Sequence, residues 1–385
     1  MKKNISAILC LLIMLSLCPL EAIADEMVPS LAAESYILIN SDNGEIISEN
    51  NSKEQRPPAS VTKMMTILLA VEAVEQGLID LDDKIEVSRK AAYTGGSTMY
   101  LQVNEKISFN DLLYGLALVS GNDASVAVAE TVAGSLEQFV AAMNNKAQQL
   151  GMQNTHFANP NGLRDKEHYT TAADLAILAK ECVQHPLFLQ ICRTQEYAVR
   201  LDSTKPTILK NTNGLLGEYE GIDGIKTGWI GEDSGYCLAS TAARDDVRLV
   251  GIVLGAKTRE ESFTASEQLL DFGFSQFLFA DILEANTSIA EIKVRDGSQR
   301  KVNIGTNVTI DCLIDKRHLD GIETIYTLDR ELVAPLKAGE VVGSLAVINT
   351  YKNDKVIETH DLVILEDVAE GNFVQKIFYR LLNFF

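Results

Sequence analysis

Pro57-Pro58-Ala59-Ser60-Val61-Thr62-Lys63-Met64-Met65 opens the segment on which the fold turns. The two prolines stop the chain from continuing as strand or helix. From Ala59 to Gln76 the apolar residues Val61, Met64, Met65, Leu68, Leu69 and Ala73 recur at helical spacing, and Gly77 ends the run. At i and i+3 on such a helix Ser60 and Lys63 share a face, so the Lys63 amine reaches the Ser60 oxygen. A serine hydroxyl is a weak nucleophile until a base takes its proton. A helix start adds a favourable dipole and free backbone donors for a developing oxyanion. Alone, Ser-x-x-Lys arises about once by chance in a chain of this length, and taken by itself it reads as an exposed helical pair.

Working outward, Ser35 to Ser48 reads as a hairpin around Asp42-Asn43-Gly44. Helices are predicted over Phe109 to Leu118, Asp123 to Ala133, Leu136 to Leu150 and Ala172 to Val183, the last with a Thr171/Asp174 capping box. Gly235 to Ala242 and Val247 to Leu254 flank the turn Arg244-Asp245-Asp246 as an antiparallel pair, and Ser266 to Phe272 reads as a closing helix. Strands at both ends thus enclose a mainly helical middle, an α/β (α+β) body over residues 25–280. Beyond it, alternation at Ile289 to Val294 and at Val308, Ile310, Cys312 and Ile314 predicts a small all-β domain over residues 281–366.

The two ends read differently. Lys2 and Lys3, the apolar run Ile8 to Leu20 and Ala22-Ile23-Ala24 have the order of a secretory signal peptide over residues 1–24, rather than a retained anchor. Residues 367–385 are expected to form an amphipathic helix. Phe373, Val374, Ile377, Phe378, Leu381, Leu382 and Phe385 fall on one half of a helical wheel, with Gln375, Lys376, Arg380 and Asn383 on the other. The cationic polar half favours an interfacial membrane anchor over a helix packed on the β domain. The body is acidic: 34 − 53 gives a net charge of −19 over 385 residues, which argues against nucleic acid as a partner. Five His without a His-x-x-x-His pair, and no Cys-x-x-Cys, give no basis for a metal site, and nothing calls for a cofactor. Cys182, Cys192, Cys237 and Cys312 show no disulfide framework and read as buried thiols.

Two further triplets complete the pattern. Ser120-Gly121-Asn122 precedes a helix, where Ser120 is placed to relay a proton and Asn122 to hold a substrate amide, although the same residues also suit a capping turn. Lys226-Thr227-Gly228 leads into the late strands. There a Lys and a hydroxyl suit a carboxylate, and Gly lets a substrate backbone approach. Each triplet is cheap, but the ordered set is the active-serine, β-lactam-recognising layout. On it, and on Phe157-Ala158-Asn159-Pro160-Asn161-Gly162-Leu163, Gly221 to Gly228 and Pro335 to Glu340, the chain resembles the low-molecular-mass penicillin-binding proteins that are D-alanyl-D-alanine carboxypeptidases.

The resemblance implies a catalytic domain, a β domain and an amphipathic anchor at the outer face of the cytoplasmic membrane. It implies removal of the terminal D-alanine from peptidoglycan stem pentapeptides, and inhibition by β-lactam antibiotics. Carried over by position, Ser60 is the nucleophile and Lys63 its base; Ser120 passes the proton to the leaving amine and Asn122 orients the substrate. Lys226 and Thr227 hold the terminal carboxylate beside Gly228, and the backbone N–H groups of Ser60 and Trp229 form the oxyanion hole. Trp229 departs from the family, where His or another aromatic is common. A β-lactamase needs a Glu-x-x-x-Asn loop, but Thr171 stands where the Asn after Glu167 should be. A non-catalytic muropeptide receptor is the other alternative.

Overall fold

The computed structural model describes residues 6–8, 30–201, 206–244, 247–350 and 355–375. They divide into two compact units, with the boundary between Ser275 and Gln276. The larger unit holds a five-stranded antiparallel sheet in the order Ile46–Asn50, Ser35–Asn40, Val247–Ala256, Tyr236–Arg244, Ile222–Gly228. Val247–Ala256 is buried along almost its whole length, as a central strand covered on both faces should be. Arg248 braces the edge strand, donating to both carboxylate oxygens of Asp223 at 2.8 Å.

The helices are α1 (Lys63–Glu75), α2 (Arg89–Ala92), α3 (Phe109–Leu118), α4 (Asn122–Ala133), α5 (Leu136–Leu150), α6 (Ala172–Cys182), α7 (Pro186–Cys192) and α8 (Arg259–Ser275). Side-chain caps start four of them: Ser88, Ser108, Ser135 and Thr171 accept from the N–H of Ala91, Asp111, Gln138 and Asp174. Gly134 and Gly151, at φ +78° and +84°, end α4 and α5 in the left-handed conformation. Helix α1 is buried from Lys63 through Leu68 without a break, so it runs through the core rather than over it. The predicted helix from Ala59 divides here: Ala59–Thr62 is a 3₁₀ turn and the α-helix starts at Lys63.

The smaller unit contains a sheet of Ile322–Leu328, Val341–Asn349, Lys355–Ile364, Lys301–Gly305, Ser288–Arg295 and Leu332–Val333, with Ser6–Ile8 beside Ile325–Thr327. Val302, Ile304, Val347, Leu362 and Ile364 lie in its buried interior. Two boundaries differ from expectation. Phe277–Leu283 pairs with Ile310–Asp315, so residues 276–280 belong to this unit rather than to the first. Val368 and Glu370 bridge to Leu336 and Gly297, so the chain stays extended past 367, and among the described residues of the tail 373–375 are helical. Isolated backbone bridges hold residues 368–370 extended, ahead of the amphipathic run that begins at Phe373. The rest of the predicted terminal helix, 376–385, and the signal segment outside Ser6–Ile8 lie beyond the described residues. Cys182, Cys192, Cys237 and Cys312 are buried free thiols.

Candidate active site

The 3₁₀ turn that carries Ser60 is gripped by two glycines. Gly162, at φ +82°, lies so close that a Cβ on it would stand 1.8 Å from the Ala59 carbonyl oxygen. A Cβ on Gly228 would stand 3.2 Å from Ser60 N and 3.1 Å from Val61 N. The end of the edge strand therefore sits directly against the nucleophile's backbone N–H. Ala59 takes φ +49°, a left-handed backbone that a non-glycine residue adopts only when its surroundings hold it.

Lys63 is fully buried, and its Nζ has three partners: Ser60 Oγ at 2.9 Å, Asn122 Oδ1 at 2.7 Å and the Asn161 carbonyl at 2.7 Å. An ammonium donates to all three. A neutral amine has two N–H bonds and one lone pair, so it can keep the two amide oxygens and accept the Ser60 hydroxyl proton. Burial, reinforced by the Lys226 charge and opposed by Asp123, holds the Lys63 amine well below the ordinary lysine range. The form that can take a proton is thereby favoured.

Asn122 opens α4 and ties Lys63 to the segment at residues 95–97: its Nδ2 donates to Gly95 O at 2.8 Å. Ser120 has φ +58°, and its buried Oγ has no hydrogen-bond partner among the described residues. It caps nothing, which sets aside the capping-turn explanation for this residue; the N-cap of α4 is Gly121. Lys226 is buried at the edge strand with its Nζ 3.2 Å from Thr227 O, and burial pulls its amine down to about 8, Arg259 pulling further and Cys192 opposing. Thr227 Oγ1 lies 2.7 Å from Thr212 Oγ1, and Arg259 Nη2 donates to Thr212 O. Cations therefore gather at this end of the site, which suits an anion.

Ser60 and Asn122 open on a groove of about 680 Å³ that Gly96, Ser97, Asn161, Gly162 and Trp229 also line. Trp229 is half exposed on the rim and stacks on Tyr236, ring centroids 5.8 Å apart. Ser60 and Lys63, Asn122, and Lys226, Gly228 and Trp229 thus come together from three segments of the chain. Asn161 and Asp123 stand in segments that carry the resemblance but were given no role of their own, and Arg259 was not singled out. Asn161 acts through a main-chain carbonyl, which no residue type announces, although the turn residues Asn159 to Gly162 gave a signal of a loop. Asn159 Oδ1 builds that loop by accepting from the N–H of Asn161, Gly162 and Leu163.

His168 supports the same region from below. Its Nδ1 accepts from Ala158 N at 3.1 Å, so the neutral ring donates Nε2–H to Thr62 Oγ1 at 2.8 Å, and burial lowers its pKa to about 4. Away from the groove, Glu72, Glu181 and His185 cluster, but the Lys146 ammonium already bonds Glu72 and lies 3.5 Å from Glu181. A protein cation fills the place of a metal.

Residues 22–258 match the family model described as D-alanyl-D-alanine carboxypeptidase, and residues 279–370 match the model for the penicillin-binding protein 5 C-terminal domain. D-alanyl-D-alanine carboxypeptidase DacF of Bacillus subtilis is 37% identical over 343 residues, covering 89% of this chain and 87% of that protein. Penicillin binding protein 5 from Haemophilus influenzae superposes with a TM-score of 0.64 at 32% identity, over 89% of this chain and 99% of that one. Penicillin-binding protein D2 from Listeria monocytogenes, in its ampicillin-bound form, superposes at 0.58 with 32% identity, over 64% and 98%. With both domains matched and the serine, lysine and asparagine in contact, the chain belongs to the D-alanyl-D-alanine carboxypeptidase family of low-molecular-mass penicillin-binding proteins.

Proposed function

We propose that Ser60 carries the acyl group in a serine-type D-Ala-D-Ala carboxypeptidase reaction on peptidoglycan stem pentapeptides, and that β-lactams acylate the same oxygen. Ser60 Oγ attacks the penultimate D-alanine carbonyl as its proton passes to Lys63. The developing oxyanion is held by the N–H groups of Ser60 and Trp229. As the C–N bond breaks, Ser120 gives a proton to the leaving amine and is reprotonated from Lys63, releasing D-alanine. Water then attacks the ester, its proton taken by the same base, and frees Ser60 and the shortened peptide. Asn122 orients the substrate amide, while Lys226 and Thr227 hold the terminal carboxylate against Gly228.

The observation that carries this reading is the buried Lys63 amine at 2.9 Å from Ser60 Oγ, with its other contacts made by amide oxygens. Glu167, the carboxylate a β-lactamase would use, is exposed and lines no part of the groove. The acidic body, the signal-like residues 1–24 and the amphipathic tail support an exported enzyme held at the outer face of the cytoplasmic membrane through its C-terminal helix. Steady-state assay of D-alanine release from a D-Ala-D-Ala peptide tests the proposal. Repeated turnovers are expected. A stoichiometric penicillin adduct without any turnover of peptide points instead to a non-catalytic receptor.

A further inference from the structure

The segment at residues 95–101 borders the groove through Gly96 and Ser97. It meets Asn122 twice: Gly95 O accepts from Asn122 Nδ2 at 2.8 Å, and Ser97 O accepts from Asn122 N at 2.7 Å. Two charged side chains hold the segment. Asp123 is fully buried; its Oδ1 accepts from Met99 N at 3.1 Å and Ala124 N at 2.9 Å, and its Oδ2 from Leu101 N at 3.0 Å. Arg200 takes the carbonyls of the same stretch, donating to Met99 O and Tyr100 O at 3.2 Å while its Nε donates to Glu105 Oε1 at 2.6 Å. Between these clamps Tyr100 sits at φ +60° with its side chain in solvent. A bulky residue stays in that conformation only when its neighbours fix it.

We infer that Asp123 is a positioning residue for the reaction: with Arg200 it fixes the segment at 95–101 so that Gly95 and Ser97 set the Asn122 amide, and Asn122 sets Lys63 against Ser60. The inference rests on the proposed roles of Ser60 and Lys63. A carboxylate is required for geometric reasons. It accepts from two N–H groups of the strap and one of its own helix with acceptors only, whereas an amide must turn an NH₂ toward one of those donors. Charge adds a second effect. The charged groups facing Lys63 are Lys226, from the edge strand, and Asp123, from α4. Asp123 is the anion of the two, so its removal favours loss of the Lys63 proton.

The test compares penicillin acylation rates across pH for the wild type, Asp123→Asn and Arg200→Gln, with Ser60→Ala as control. Asp123→Asn is expected to acylate about 10- to 100-fold more slowly, as misplacement by an ångström commonly does. Its acidic limb should also move to lower pH. Arg200→Gln should slow acylation while leaving the limb in place, since it loosens the same segment without removing the anion beside Lys63. A purely structural loss in Asp123→Asn lowers the rate equally at every pH with the limb unmoved, and that result overturns the inference. A wild-type rate in Asp123→Asn overturns it too. If Asp123→Asn does not fold, Arg200→Gln decides, and an unchanged acylation rate in it refutes the clamp. Acylation of Ser60→Ala at the wild-type rate strikes instead at the nucleophile assignment, so the two failures are distinguishable.

Discussion

Gly162 and Ala59 touch backbone to backbone: a methyl group on Gly162 would stand 1.8 Å from the Ala59 carbonyl oxygen. The loop that supplies the Asn161 carbonyl to Lys63 is thus pressed onto the turn that carries Ser60. Gly162→Ala meets both this clash and a left-handed backbone at φ +82°. Its acylation by penicillin should fall by about 100-fold or more, since the turn must shift to admit the methyl group. Gly77→Ala, also at positive φ but with nothing within 4 Å, is the control for backbone strain. Equal acylation in the two variants argues against a steric role.

Ser60→Ala should remove the penicillin ester seen by mass spectrometry while the protein stays folded. Lys63→Ala should leave the ester but slow its formation by roughly 10²–10⁴-fold, the usual worth of general-base assistance. An unchanged rate in Lys63→Ala moves the base elsewhere, and Ser120 is the first place to look.

Lys226 titrates near 8 in the free protein. Below that pH it is an ammonium and holds a carboxylate; above it the charge goes. The KM for a D-Ala-D-Ala peptide should therefore rise as pH climbs past about 8, somewhat later once bound substrate stabilises the charge. Lys226→Gln should lower kcat/KM by about 10- to 100-fold near neutrality, in keeping with loss of a charge-assisted hydrogen bond. Its KM should lack the alkaline rise. A matching rise in the variant assigns the titration to another group.

His168 links stability to acid. Its folded pKa, about 4, lies below the ordinary histidine value of 6.5, because burial opposes protonation. The unfolded chain therefore takes the proton first. This contribution is complete above pH 6.5 and is lost as pH falls from 6.5 toward 4, a change of up to about 3 kcal/mol. Denaturant melts at pH 7, 5.5 and 4.5 should show His168→Asn less stable than wild type at pH 7, with the gap narrowing in acid. A constant gap rules out the linkage.

Attachment to lipid, as proposed, needs the tail. Full-length protein should float with anionic vesicles and be only partly released by high salt, because apolar burial resists salt and the Lys376 and Arg380 contribution does not. Deleting Gly371 to Phe385 should abolish flotation and leave peptide hydrolysis intact. Flotation of the truncated protein at the full-length level assigns membrane binding to another region.

Much of this architecture is legible in the sequence. Phe109–Leu118 and Leu136–Leu150 have the limits that hydrophobic period and caps predict. Thr171 caps α6 as its spacing with Asp174 required. The four-residue helix α2 is too short to show a period, and α7 offered only Pro186 at its start. Ser60 and Lys63 were readable because i, i+3 geometry is local. The Asn161 carbonyl and the Asp123 clamp were not, because one is main chain and the other bonds to main chain. Neither contact depends on the identity of its partner residue. The extended course of Val368 to Glu370 was equally hidden, since pairing with Leu336 and Gly297 is a long-range event.

The partners of Lys63 come from afar: Asn122 is 59 positions along the chain and Asn161 is 98. A fragment that ends before Asn161 therefore lacks the full setting of the nucleophile. During folding, helix α1 can form early and locally, but Ser60 remains an ordinary alcohol until segments of high sequence separation have closed around it. Reactivity toward a β-lactam consequently arises late in folding and vanishes with global unfolding. Covalent penicillin labelling then counts native molecules one by one, and a time course of labelling during refolding reads the completion of the chain's long-range contacts.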